Sequence, residues 1–120
     1  MFDAQQFENL RLELRRGCLT LAVLAQLRAE HYGYALRKAL NDQGLSIDEN
    51  TLYPLLRRLE AHGLLTSAWR EEEKRNKRFY KLSEAGEAVL DRLLEEWRGL
   101  NTAIDCISRS AGETVQERKN

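Results

Sequence analysis

Three observations predict a mainly α-helical fold with a small β-hairpin. The chain has 120 residues, enough for a single hydrophobic core. One proline and seven glycines leave little room for many turns, which favours long helices over a sheet-rich fold. One stretch places a run of charges directly before the strand-forming pair Phe79 and Tyr80, as expected of a single exposed hairpin.

The first half of the sequence predicts three helices. Residues 7–29 carry apolar side chains at helical spacing on more than one side, so this helix is expected to pack between neighbours. After a break, a short helix over 34–43 is closed by Gly44 as a left-handed cap. Asp48 is a good N-cap for a third helix, which Gly63 ends.

The second half predicts two strands and a last long helix. Thr66 and Trp69 precede the charged run, and Phe79 and Tyr80 follow it, so two strands should flank a charged loop. Ser83 is the predicted N-cap of the last helix. The order helix, helix, helix, strand, strand, helix is that of a winged helix-turn-helix with an additional C-terminal helix.

The third predicted helix has an apolar and a polar face. At about 100° per residue, four leucines lie within about 50° of one direction. This apolar face consists of Leu52, Leu55, Leu56 and Leu59. Asn50, Tyr53 and Arg57 form a stripe facing away, together with Pro54, which is expected to kink the helix slightly. Amide, phenol and guanidinium groups contact base edges and phosphates in a major groove, although an ordinary surface helix shows a similar stripe.

The charged stretch over 71–83 supports the nucleic-acid interpretation of that stripe. It holds five cations in eight residues, namely Lys74, Arg75, Lys77, Arg78 and Lys81. A charge run is usually solvated surface, but a winged domain contacts DNA with a helix and with the basic hairpin that follows it. We predict that the cations contact phosphate while Tyr80 and Leu82 point inwards. Three carboxylates over 71–73 oppose this role because they repel phosphate.

The formal net charge of zero hides an uneven distribution. Residues 1–81 carry 14 Lys and Arg against 11 Asp and Glu, which gives +3, whereas residues 82–120 carry 5 against 8, which gives −3. A polyanion site is therefore expected in the first two thirds of the chain.

The last helix has the most regular apolar pattern in the sequence. Its members are spaced 3, 4, 3, 4 and 3 residues apart, which is a heptad seam. They are Leu90, Leu93, Trp97, Leu100, Ile104 and Ile107. Because a small domain offers no obvious internal partner for so long a seam, we predict that it packs on the same helix of a second copy. The first helix is expected to join this interface through Leu10 and Leu14, and a purely intramolecular role is the alternative.

Trp97 lies in the middle of the seam. The simpler interpretation is that this tryptophan anchors the packing of the core. Alternatively, it forms a wall of a pocket at the dimer interface and stacks on a small planar aromatic ligand.

Enzyme chemistry and metal binding find no support in the sequence. His31 and His62 have no metal-ligand spacing with Cys18 or Cys106, and no glycine-rich phosphate loop is present, so no cofactor is expected. The two cysteines are predicted to be buried small hydrophobes rather than a disulfide. No apolar run approaches the roughly 20 residues of a membrane span, and the first residues lack a signal-peptide pattern, so we expect a cytoplasmic location.

Several segments resemble the PadR-type transcriptional regulators. They are GYALRKAL (33–40), NTLYPLLRRLEAHGLL (50–65), KRFYKLSEAG (77–86) and Trp97. The resemblance implies a dimer of winged helix-turn-helix domains joined through the last helix, and repression of transcription that a small molecule relieves in many relatives. It also implies that Thr51, Tyr53 and Arg57 lie on the recognition helix and that Lys77 and Arg78 lie on the wing. The short tail after Ile107 is similar to that of the smaller branch of the family.

We therefore predict a homodimeric, sequence-specific repressor that binds an inverted repeat in double-stranded DNA. The alternative is a ligand-binding or protein-interaction module of the same fold that does not bind DNA specifically. The expected parts are a DNA-binding domain over 1–83, a dimerisation helix over 84–108 and a disordered tail over 109–120. The predicted DNA contacts are Asn50, Thr51, Tyr53, Arg57, Lys74, Arg75, Lys77 and Arg78. The predicted dimer interface comprises Leu10, Leu14, Leu93, Trp97, Leu100, Ile104 and Ile107, with Trp97 also contacting the effector.

Overall fold

Four helices and a three-stranded antiparallel sheet make up the described chain. The computed structural model describes the backbone of residues 3–119 and the side chains of residues 3–110. The elements are α1 (Ala4–Gln26), β1 (His31–Tyr32), α2 (Gly33–Asp42), α3 (Glu49–Ala61), β2 (Leu65–Glu72), β3 (Arg75–Leu82) and α4 (Glu84–Lys119). The predicted mainly α-helical fold, with a hairpin before a long last helix, is confirmed.

The capping residues predicted for the end of α2, both ends of α3 and the start of α4 are confirmed by their local geometry. Asp48 and Ser83 each accept, on a side-chain oxygen, a hydrogen bond from the backbone N–H three residues further on, at 2.8 and 2.9 Å. Gly44 and Gly63 have φ angles of +87° and +79°, a backbone conformation that residues other than glycine rarely adopt. Local chemistry therefore determines where α2 and α3 end and where α3 and α4 begin.

The strand β1 was not predicted, and α1 ends three residues earlier than predicted, at Gln26. His31 and Tyr32 pair with Tyr80 and Phe79, so that the sheet has the order β1-β3-β2. A strand of two residues carries no alternation that a sequence pattern could reveal. Pairing with β3 is a long-range interaction, and it takes the chain out of the helical path after α1.

The hairpin of β2 and β3, here called the wing, has a tighter turn than predicted. Glu72 lies opposite Arg75, and only Glu73 and Lys74 connect the strands. Both connecting residues have positive φ angles, 53° and 65°, as in a type I′ turn, whose twist matches that of the strands. The cation at Lys77 therefore lies within a strand and not in a flexible loop.

The core lies between the three N-terminal helices, the sheet and the start of α4. The four leucines predicted for the apolar face of α3 are all buried, as are Tyr80 and Leu82 of β3, which point inwards as predicted. The fully buried side chains are Val23, Leu24, Leu27, Leu36, Leu52, Leu56 and Leu90. Burial of one face of α3 leaves its opposite face exposed.

Two compact units are present, residues 1–90 and residues 91–120. Within the second, a face of α4 carries exposed apolar side chains, namely Leu93, Trp97, Leu100, Ile104 and Ile107. The backbone of α4 is helical to Lys119, beyond the predicted end at residue 108, and Asn120 lies outside the described residues. The predicted division into a DNA-binding domain, a dimerisation helix and a disordered tail over 109–120 stays a prediction.

Helix α1 and the two cysteines differ from the sequence expectations. Leu10 and Leu14 are 59% and 74% exposed, so the first half of α1 is not packed between neighbours within this chain. Cys18 is half-buried and Cys106 is exposed, so the predicted burial of both thiols is wrong. The helical segments that carry these residues lie outside the core of the single chain.

Candidate nucleic-acid interface

Helix α3 presents a polar face because its four leucines occupy the opposite side. Asn50, Thr51 and Arg57 are exposed on α3, and their contact with a major groove stays a prediction. The helix is joined to α2 through Arg37, whose Nη1 donates to Oε1 of Glu49 at 2.8 Å. This ion pair links α2 to the first turn of α3, and the stripe pattern gave no indication of it.

Tyr53 is only half-buried, although the polar stripe placed it facing away from the core. Its ring lies against Gly33, the first residue of α2, where an added Cβ would be 2.5 Å from Cε1 and from Oη of Tyr53. Gly33 therefore makes room for the phenol between α2 and α3. The ring has one side against the protein, which limits its motion before any partner binds.

The inner face of the wing is joined to α3 by a polar network. Nη2 of Arg78 donates to Oε1 of Glu60 at 2.8 Å, and Nε of Arg78 donates to Oγ of Ser67 at 3.0 Å. The hydroxyl of Ser67 donates to the other oxygen of Glu60. Arg78, predicted from the sequence as a phosphate contact, thus has its guanidinium engaged within the protein, and its role towards DNA stays a prediction.

Tyr80 connects this network to the polar face of α3. Burial raises the pKa of the Tyr80 hydroxyl above its usual value, and the positive charge of Arg78 opposes that rise. Glu60, Arg57 and Tyr53 also act electrostatically on this hydroxyl. The part of α3 that carries Tyr53 and Arg57 therefore lies near Tyr80 and Arg78 of the wing.

Cations and aromatic rings cover the outer face of the sheet. Nζ of Lys77 lies 4.2 Å from the ring centroid of Tyr32, and the guanidinium carbon of Arg70 lies 3.9 Å from that of Phe79. Arg70 also pairs with Glu30, which precedes β1. The contact with Tyr32 places Lys77 beside β1, and sequence reasoning missed it because β1 itself was not predicted.

The tip of the wing carries both signs of charge. Lys74 and Arg75 are exposed at the turn, as are the three carboxylates over 71–73. Opposite charges face each other across the hairpin, with Glu72 opposite Arg75. The tip alone is therefore a weak anion site, and the exposed Arg57 of α3 and the half-buried Lys77 of β3 add further positive charge.

Other classes of site receive no support in the described part of the chain. Among these residues, no group of three or more His, Cys, Asp or Glu side chains could hold a metal ion. Within the same range, none of the helices combines the length and apolarity that crossing a bilayer requires.

Known proteins are similar to this chain in sequence and in fold. The sequence profile of the Transcriptional regulator PadR-like family matches residues 20–92. Transcriptional regulator Rv3488 of Mycobacterium tuberculosis is 39% identical over 88 residues, which cover 70% of this chain and 82% of that protein.

Solved structures are similar over most of the chain. The crystal structure of a PadR family transcriptional regulator from Eggerthella lenta has a TM-score of 0.80 and 42% identity, covering 86% of this chain and 92% of that one. The structure of a transcriptional regulator from Clostridium thermocellum has a TM-score of 0.70 and 28% identity, covering 78% and 95%. Both similarities extend well beyond α3 and the wing.

Proposed function

Because the chain belongs to the PadR-like family of transcriptional regulators, which implies regulation through DNA binding, we propose that it is a homodimeric repressor of transcription. In this proposal, α3 enters the major groove of an inverted repeat, and the wing contacts the adjacent phosphates. Release of the DNA follows binding of a small planar aromatic molecule between the two copies.

The exposed polar face of α3 beside the wing is the observation that carries the DNA-binding proposal. Asn50, Thr51 and Arg57 are exposed to a binding partner, and the leucines on the other side of the same helix are buried in the core. A guanidinium or an amide in this position can form hydrogen bonds with base edges. Lys77 and the tip cations supply charge for phosphates, which fix the register of the helix on the duplex.

The exposed apolar face of α4 supports a dimer. Trp97, Leu100 and Ile104 are 44–58% exposed in the single chain. A contiguous apolar face of this kind is unfavourable in water and is typical of an interface. A two-fold axis would place two α3 helices on half-sites about one helical turn, roughly 34 Å, apart.

Arg57→Ala and Lys77→Ala are expected to weaken DNA binding in different ways. Loss of a base-contacting guanidinium should cost about 1 to 3 kcal/mol on the preferred site and much less on random DNA. Loss of a phosphate contact should weaken binding to all sequences and lower the slope of log K against log salt by about 0.9. Titrations of both DNAs at several salt concentrations measure these quantities.

Arg16→Ala is the control for these two variants, because Arg16 is an exposed cation on α1. Its affinity and salt slope should equal those of the unmodified protein. Unchanged specific binding by Arg57→Ala would contradict the assignment of α3 as the recognition helix.

A planar aromatic compound is expected to change the fluorescence of Trp97. Equivalent residues near a two-fold axis approach each other, so two indoles could stack on one ligand and contribute about 1 to 3 kcal/mol of binding. The ligand would change DNA affinity only if it prefers one arrangement of the two recognition helices. Fluorescence titration of the full chain with a panel of such compounds measures the binding.

Trp97→Phe is the control, since it leaves Trp69 as the remaining fluorophore. The signal should disappear in this variant. A response that persists unchanged after the substitution, or no response across the panel, would leave Trp97 as a packing residue only.

A further inference from the structure

We infer that Glu60, Ser67 and Arg78, here called the Glu60 network, position the wing relative to α3, and that Glu60 thereby strengthens DNA binding despite its negative charge. The inference rests on the proposed function, because it concerns how two parts of the same interface are held together. It assigns Glu60 and Arg78 as positioning residues, which act through Arg57 and Lys77.

The hydrogen bonds of the network join three elements. One oxygen of Glu60, on α3, accepts from Nη2 of Arg78 on β3 at 2.8 Å, and the other accepts from the hydroxyl of Ser67 on β2. Nε of Arg78 donates to that same hydroxyl at 3.0 Å. Both carboxylate oxygens and two guanidinium nitrogens are used, so the three side chains restrain one another.

The network is partly shielded from water. The side chains of Arg78 and Glu60 are 36% and 25% exposed, so solvent screens their attraction less than it screens that of a fully exposed pair. The guanidinium carbon also lies 5.5 Å from the ring centroid of Tyr80 and 5.8 Å from that of Trp69. Turning Arg78 outwards to a phosphate would therefore break several contacts and leave Glu60 without its cation.

The position of the network explains how it could act on the DNA interface. Glu60 lies one helical turn after Arg57 on α3, and β3 is the central strand of the sheet. Fixing Arg78 therefore fixes its neighbour Lys77 and the rest of the wing relative to Arg57. A protein that contacts DNA at two points binds more tightly when those points are already in place, since less conformational freedom is lost on binding.

The sign of the effect of Glu60→Ala tests the inference. Removing a carboxylate near phosphates should tighten DNA binding if electrostatics alone decided the result. The network predicts the opposite, an affinity about tenfold lower, because the wing loses its restraint. The salt slope should stay unchanged, since no phosphate contact is removed. Binding is measured on a fragment that the unmodified protein selects from random DNA, at a temperature where circular dichroism shows every variant folded.

Glu71→Ala is the matched control, because Glu71 is an exposed carboxylate on β2 outside the Glu60 network. It should bind DNA as tightly as the unmodified protein or more tightly. Glu60→Gln, whose amide can still form hydrogen bonds, should retain more affinity than Glu60→Ala. The double variant Glu60→Ala/Arg78→Ala should bind no more weakly than Arg78→Ala alone, as expected for residues that act as one unit.

Two results would overturn the inference. One is Glu60→Ala binding as tightly as the unmodified protein or more tightly. The other is a salt slope lowered by about 0.9 in Arg78→Ala, which would make Arg78 a direct phosphate contact. If Glu60→Ala does not fold, Ser67→Ala keeps both charges and should still lose about threefold in affinity, and unchanged affinity would again contradict the network. Failure of the proposed function can be told apart from failure of this inference, because the unmodified protein would then select no DNA fragment.

Discussion

Gly86→Ala is expected to destabilise the fold by about 3 kcal/mol. A Cβ at this buried position would overlap the backbone oxygen of Leu64 and would lie 2.7 Å from Cδ1 of Leu82. The backbone oxygen cannot rotate away, because it accepts the N–H of Ser83 at 3.0 Å and so joins the end of α3 to the start of α4. Relief of the overlap therefore requires movement of α4 or loss of this hydrogen bond.

Gly99→Ala is the matched control in the same helix. Nothing lies within 4 Å of a Cβ added at Gly99, so this substitution should stabilise α4 by up to about 1 kcal/mol through helix propensity. Urea denaturation at one fixed protein concentration measures both variants. A midpoint for Gly86→Ala equal to that of the unmodified protein would show that the junction between α3 and α4 tolerates a side chain.

Leu100→Glu together with Ile104→Glu is expected to convert the proposed dimer into monomers. The two side chains are 53% and 58% exposed in the single chain and lie one turn apart on the apolar face of α4. A dimer would bury both positions, and burying two unpaired carboxylates on each copy costs several kcal/mol. Sedimentation at micromolar concentration measures the change. The unfolding midpoint of the unmodified protein should also rise with its concentration.

Thr102→Glu together with Cys106→Glu is the control for the seam. It adds the same two carboxylates at the same spacing, at exposed positions of α4 outside the heptad pattern. This variant should remain dimeric. A folded monomer for the unmodified chain at micromolar concentration would contradict the role assigned to the seam.

Local chemistry made the helices predictable. The carboxylate of Asp48 caps α3, the hydroxyl of Ser83 caps α4, and Gly63 takes the left-handed conformation that ends α3. The spacing of four leucines correctly gave the buried face of α3, since the helical period fixes which side chains share a side. These features depend on residues within a few positions of each other.

Features that depend on distant residues were not predictable from patterns. The pairing of Tyr32 with Phe79 creates β1 and gives Lys77 its aromatic neighbour. The engagement of Arg78 by Glu60 joins residues 18 positions apart, whereas a run of cations indicates only positive charge. Likewise, the helical period placed Tyr53 on the outer face, but only the absence of a side chain at Gly33 lets the ring lie against α2. Composition and helical period identify the region of the site, but they do not show which of its charged side chains are already engaged within the protein.

Selection of DNA fragments by the purified protein, followed by salt titration, distinguishes sequence-specific from non-specific DNA binding. The selected fragments should contain an inverted repeat with half-sites about one helical turn apart. The protein should bind them at least about a thousandfold more tightly than random DNA, with affinity for both falling as salt rises. Equal affinity for selected and random DNA at every salt concentration would contradict sequence-specific binding through α3 and the wing.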